Sequence, residues 1–209
     1  MRLLELVDTS RQVAETSGRL AKIGLLADLL RHADPSEIET VIAFLSGTIR
    51  QPKVGVGYSV MQRTKPEHSA DTATLTLADV DATFTRLERA SGKGSTKNKE
   101  AELRVLFGAS TDAEQEYLVR LLIGEVRQGA LEGLMIEAVA RASGLDANAV
   151  RRATMLAGDL GAVAHAALTE GARGLERFAL LLFRPVQPML AQTADDVAEA
   201  LSRLGRAAL

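Results

Sequence analysis

Two short turns carry the side chains best suited to hold an anion. Phe44-Leu-Ser-Gly-Thr-Ile-Arg-Gln51 and Leu121-Leu-Ile-Gly-Glu-Val-Arg-Gln128 share a Gly-x-x-Arg-Gln pattern. Glycine lets a chain leave a helix and lets its backbone approach a partner closely. Arginine presents a planar fork of N–H donors that matches phosphate. Each turn is followed by a glycine-containing stretch that opens a helical pattern, Lys53-Val-Gly-Val-Gly57 in one case and Gly129-Ala-Leu-Glu-Gly133 in the other. A helix N-terminus beside a cation favours phosphate, through its free amides and its dipole. Arg50, Lys53 and Arg127 are the candidate cations. Two such sites related by a pseudo-dyad match the two backbones of a duplex. The alternative is structural: Arg50 and Arg127 cap helix ends and pair with nearby acids.

A third candidate is Ser91-Gly-Lys-Gly-Ser-Thr-Lys-Asn-Lys99, where three lysines, small residues and the adjacent hydroxyl pair of Ser95 and Thr96 precede an amphipathic stretch. Such a segment can cradle phosphate with backbone, hydroxyl and ammonium donors. It is not a nucleotide-triphosphate loop, because Lys93 is followed by Gly94 and the upstream glycine spacing is wrong. Its alternative reading is a solvated loop. Residues 138–152 form a competing motif, Ala-Val-Ala-Arg-Ala-Ser-Gly-Leu-Asp-Ala-Asn-Ala-Val-Arg-Arg, with the helix–glycine turn–helix pattern of a major-groove reader. The same pattern is common in ordinary helical hairpins.

Composition narrows the classes. The 209 residues hold no Cys and three scattered His, which removes disulfides, thiolate catalysis and Cys-based zinc sites. Aromatics are 3%, too few for a stacking platform along single strands. The net charge of −2 excludes a generally basic DNA-coating protein but not a local basic face. No apolar run approaches the ~20 residues that span a bilayer, and an acid at Glu5 comes too early for a signal peptide. A cytoplasmic protein without membrane attachment is expected.

The elements that must position these residues read as helices nearly throughout. Apolar residues recur at i, i+3, i+4, as in Leu26, Leu29, Leu30 and Leu103, Leu106, Phe107. Asp34-Pro35-Ser36-Glu37 is a helix start, Thr111 with Glu114 a capping box, and Ser95 and Asp146 are further candidate caps. The spacing predicts helices near 10–31, 36–46, 57–63, 77–91, 95–108, 112–123, 131–143, 147–157, 160–170 and 194–207. Residues 64–76 read as a polar connector and 178–191, with two prolines, as an extended exit. At an offset of 77 residues, Lys22, Leu26, Leu29, Glu37, Glu39 and Leu45 match Lys99, Leu103, Leu106, Glu114, Glu116 and Leu122. The fold class is therefore all-α: about ten helices with an internal pseudo-two-fold repeat, followed by a linker and the first helix of a further domain that is cut short.

Taken together these segments resemble the N-terminal DNA-binding domain of ATP-dependent DNA ligases, in particular bacterial enzymes laid out like the large eukaryotic ones. The resemblance rests on Thr16-Ser-Gly-Arg-Leu-Ala-Lys22 with Leu26-Ala-Asp-Leu-Leu30, Val54-Gly-Val-Gly57, Ser91-Gly-Lys-Gly-Ser-Thr-Lys97, Gly124-Glu-Val-Arg-Gln-Gly129, Gly158-Asp-Leu160 and Arg184-Pro-Val-Gln-Pro-Met-Leu-Ala191, in this order. It implies a helical domain at 1–183, and at 184–209 a linker and the truncated start of the nucleotidyltransferase domain. It implies a grip on double-stranded, nicked DNA through the minor groove and phosphates, with the enzyme's own catalytic domains as partners, in replication, repair and recombination. The DNA-facing residues it selects are Gly55, Gly57, Gly94, Ser95, Thr96, Lys97, Arg127 and Gly129; the repeat adds Arg50 and Lys53. ATP and Mg2+ are expected for the full-length enzyme and no cofactor for this part. The family's nucleophilic lysine lies in Lys-x-Asp-Gly, and no lysine here is followed by x-Asp-Gly. The chain is therefore expected to bind without catalysing. A helix-turn-helix regulator and a helical protein-interaction scaffold are the other readings.

Overall fold

The computed structural model describes residues 1–92, 94–126 and 131–179. These form eleven α-helices and no β-strand, with one isolated bridge between Arg2 and Thr76. The helices are α1 Leu3–Glu15, α2 Arg19–His32, α3 Ile38–Leu45, α4 Tyr58–Thr64, α5 Leu77–Arg89, α6 Ser95–Gly108, α7 Asp112–Leu122, α8 Leu131–Ser143, α9 Ala147–Ala157, α10 Leu160–Glu170 and α11 Ala172–Glu176.

Most boundaries follow from caps legible in the chain. Thr111 accepts from the Glu114 amide while Glu114 reaches back to the Thr111 amide, closing the capping box of α7. Asp146 and Asp159 cap α9 and α10. Thr76 and Asp79 form another box at α5, and the Thr76 hydroxyl and amide hold the Asp79 carboxyl below its ordinary range.

Three expectations need correction. The helix expected over 10–31 is two helices. α1 closes where Thr16 bonds back to the Gln12 carbonyl, and α2 restarts from Gly18 as its cap. Ser95 is the first residue of α6 rather than its cap; that place is taken by Gly94 in a left-handed conformation (φ 88°). Pro35–Glu37 makes a separate 3-10 turn before α3, and Glu37 pairs with the Met1 ammonium at 2.7 Å. The short α11 was not anticipated. The helix expected over 194–207, and most of the exit segment, lie outside the described residues.

The core is continuous through the helices. α8 lies against α2, α9 and α10, and α10 also packs on α3. Small residues permit this closeness: a Cβ on Gly24 would sit 3.6 Å from the Arg141 guanidinium. Phe44 of α3 meets Phe84 of α5 with ring centroids 5.9 Å apart and planes tilted by 54°. Tyr117 of α7 is buried and donates its hydroxyl to the Phe44 carbonyl at 2.8 Å. Burial pushes its ionisation above the usual tyrosine range.

The offset of 77 reappears in the elements. It carries α2 onto α6 and Pro35–Leu45 onto α7, one residue apart at most. Both second helices end in the same kind of turn. Gly47 and Gly124 each have φ 72°, and the next amides, of Thr48 and Glu125, bond back to Ala43 and Arg120 at 2.9 and 2.8 Å. The two glycines differ in surroundings. A Cβ on Gly47 would run into the Val126 carbonyl oxygen, whereas one on Gly124 would meet nothing within 4 Å.

That contrast gives a prediction. Gly124→Ala should cost about 1–2 kcal/mol, the penalty of a left-handed alanine. Gly47→Ala should cost about 1–3 kcal/mol more, because backbone must also move. Urea unfolding of the two variants reads the difference, and equal losses would show that Val126 yields freely.

Candidate nucleic-acid interface

The lysine at position 99 decides where the candidate residues sit. It lies in the second turn of α6, and its Nζ donates to the Val54 carbonyl at 2.6 Å and reaches the Gly55 carbonyl at 3.5 Å. The Val54–Gly57 stretch has no regular structure of its own. Lys99 therefore moors it to the helix that begins at Ser95. Two pieces some forty residues apart in the chain, the glycine loop and the Ser95-Thr-Lys97 turn, become one edge. α4 reinforces the joint, since Arg63 pairs with Glu100 at 2.9 Å.

Lys53, Gly55, Gly57, Gly94, Thr96 and Lys97 are exposed, and Ser95 is half-buried. Gly55 has φ 60°, and a Cβ there would come within 2.9 Å of the Lys99 ammonium, so the fold itself favours glycine. Gly57 is different. Its φ of −89° suits any residue, and nothing lies within 4 Å of a Cβ added there. No internal contact asks for glycine at 57; its missing side chain leaves backbone open from outside.

The two acids nearest Lys97 on α6 are turned aside. Glu100 goes to Arg63 and Glu102 to Arg86 at 2.8 Å. The outward stripe of α6 then reads Lys97, Ala101, Arg104, Val105 and Gly108, all exposed. The local face is cationic although the chain as a whole is not.

Arg50 is placed otherwise. Its Nη1 donates to the Thr40 hydroxyl at 3.3 Å and lies 3.5 Å from Asp81 Oδ2, with the side chain 44% exposed. The neighbouring Gln51 is buried and donates from Nε2 to the Asp81 carbonyl, the Asp81 carboxylate and the Thr85 hydroxyl at 3.2, 3.1 and 3.0 Å. The Arg-Gln pair of the first turn thus fastens the segment after α3 to α5. Arg127, Gly129 and Lys93 lie outside the described residues, so the second Gly-x-x-Arg-Gln turn is described only as far as Val126.

The sequence reading missed the mooring role of Lys99, counted there as one more phosphate cation. The competing hairpin of α8 and α9 is present, with Gly144 at φ 71° between the helices. Its Arg151 donates to Asn148 at 2.8 Å and lies 3.9 Å from Glu137. Arg152 borders an apolar groove with Leu156, Leu175 and Phe178.

Known proteins place this edge in context. The family described as DNA ligase N terminus matches residues 55–140, a span that contains Gly55, Gly57 and all of α6. A probable DNA ligase of Sorangium cellulosum is 49% identical over 210 residues, and one of Anaeromyxobacter sp. is 49% identical over 213. A probable DNA ligase of Mycolicibacterium gilvum is 48% identical over 209. Each alignment covers 100% of this chain, while the chain spans only 39–40% of the length of these relatives. The chain is thus similar along its whole length to probable DNA ligases, and over residues 55–140 to the DNA ligase N-terminus family.

Proposed function

We propose that this chain is the DNA-gripping part of an ATP-dependent DNA ligase. It holds nicked duplex DNA without regard to sequence, through minor groove and phosphates, while the catalytic domains of the same enzyme close on the other side for nick sealing in replication and repair. Residues 184–209 lead into the nucleotidyltransferase domain. The observation that carries this reading is the Lys99 bond to the Val54 carbonyl, which holds the glycine loop against the helix that begins with Ser95, Thr96 and Lys97.

The roles follow from chemistry. Gly55, Gly57 and Gly94 admit a sugar-phosphate strand close to the backbone. Ser95 and Thr96 donate hydroxyls, and Lys53 and Lys97 supply charge. Arg127 and Gly129, which lie outside the described residues, are assigned to phosphate from the sequence pattern alone. Arg50 contributes least, because Asp81 already offsets its charge. Contacts of these kinds carry little base information, which suits an enzyme that must seal any nick.

In this reading ATP and magnesium serve the catalytic domains of the full-length enzyme. The 209 residues contain no Lys-x-Asp-Gly, and no three His, Asp or Glu side chains converge among the described residues. The proposal assigns this chain grip alone.

Fluorescence anisotropy with nicked and intact duplexes of several sequences, at three salt concentrations, tests the reading. Affinity should be similar across sequences, and log affinity should fall with log salt by about 0.9 per phosphate contacted. Lys97→Ala should weaken binding uniformly and make that slope shallower by about one. A sequence preference that Arg151→Ala or Arg152→Ala relaxes, with Lys97→Ala silent, would establish the helix-turn-helix reading instead.

Lys99→Met separates mooring from direct contact. It should weaken DNA binding while leaving the salt slope unchanged, and trypsin should cut after the exposed Lys53 several-fold faster. Lys99→Arg should restore both. A slope shallower by one in Lys99→Met, with no change in cutting, would make Lys99 a phosphate ligand rather than a strut.

A further inference from the structure

The chain has two tyrosines and no tryptophan. The two are placed oppositely. Tyr117 is buried, with its hydroxyl satisfied by Phe44. Tyr58 is 57% exposed, and among the described residues its hydroxyl has no hydrogen-bond partner. Tyr58 is the first residue of α4, directly after Gly57 and three residues after the glycine that Lys99 moors. The other large apolar side chains standing out among the described residues are Leu20 on α2 and Val105 on α6.

A tyrosine ring offers about 150–250 Å² of surface for burial. The fold leaves more than half of this one in water, at the rim of an edge built from glycine backbone and lysines. A protein-docking patch needs contiguous apolar area. Around Tyr58 the chain instead presents Gly57, Ser59, Gln62 and Arg63, all exposed, with Lys53 a few residues before them. One flat apolar ring amid cations and open backbone matches a polyanion whose strands carry apolar sugar faces between the charges.

We infer that Tyr58 is the apolar contact of the DNA-gripping face, packing its ring against deoxyribose and base edges in the minor groove. The inference rests on the DNA-gripping reading above. The ring fixes how deeply the duplex seats, while amides, hydroxyls and lysines take the phosphates. Such a contact releases no counterion, so its energetic signature differs from that of every lysine beside it.

The test pairs anisotropy with intrinsic tyrosine emission. Tyr58→Ala should weaken binding about five- to tenfold at every salt concentration, giving a line parallel to that of the unmodified chain. Tyr58→Phe should bind within about twofold of the unmodified chain, since the ring and not the hydroxyl makes the contact. Saturating unlabelled duplex should quench tyrosine emission of the unmodified chain and leave that of Tyr58→Phe, which comes from buried Tyr117, unchanged. Thermal unfolding of Tyr58→Ala should be unaltered, because the side chain is exposed.

If the unmodified chain binds duplex but its emission does not change, or Tyr58→Ala binds equally well, the tyrosine assignment fails and the grip survives. A shallower salt slope in Tyr58→Ala, or a loss in Tyr58→Phe equal to that in Tyr58→Ala, overturns the apolar contact. Absence of any duplex binding overturns both readings.

Discussion

One ammonium group holds the candidate interface together. Lys99 sits on α6, whose position is fixed by buried Leu103, Leu106 and Phe107. Its other end grips the Val54 carbonyl of a stretch with no ladder or helix to order it. A charge-assisted hydrogen bond of this kind contributes about 1.5–3 kcal/mol, enough to hold a short loop in one place. Without it, the glycine backbone at 55–57 and the hydroxyl-rich start of α6 would be separate features. With it, they share a rigid base, and a ligand meets donors already arranged.

The rest of the fold sets that base. Glu100 and Glu102 are drawn sideways to Arg63 and Arg86, which anchors α6 between α4 and α5 and removes acids from its outer stripe. On the first half, Asp81 gathers both Arg50 and Gln51, so the segment after α3 leaves toward α5 in a fixed direction. The close approach of Gly47 to the Val126 carbonyl brings the end of the first helix pair against the end of the second. A chain of net charge −2 thereby keeps a cationic edge, because pairing neutralises charges locally and leaves selected lysines unopposed.

Much of this was legible in the chain, and the parts that were not have physical reasons. The box at Thr111 and the cap at Asp146 are local chemistry, decided within four residues. The repeat was legible because apolar spacing and turn residues recur in one register. The break at Thr16-Ser-Gly18 was hidden by apolar periodicity continuing on both sides of it. Gly94 displaced Ser95 as cap because a left-handed turn before the helix overrides the usual preference for a hydroxyl. In the site, composition marked Lys97 and the glycines, yet it could not separate Lys99 from Lys97. Which of the two faces inward depends on a loop that arrives from forty residues upstream.

The central claim is that the Lys99-moored edge is where DNA lies. Amide hydrogen exchange of the chain with and without a nicked duplex addresses it directly, since exchange slows where a ligand covers or orders the backbone. The account predicts added protection at residues 53–58 and 94–99, together and at the same DNA concentration, with α9 unchanged. Protection confined to residues 145–156, with the glycine loop and the start of α6 unaffected, would contradict it.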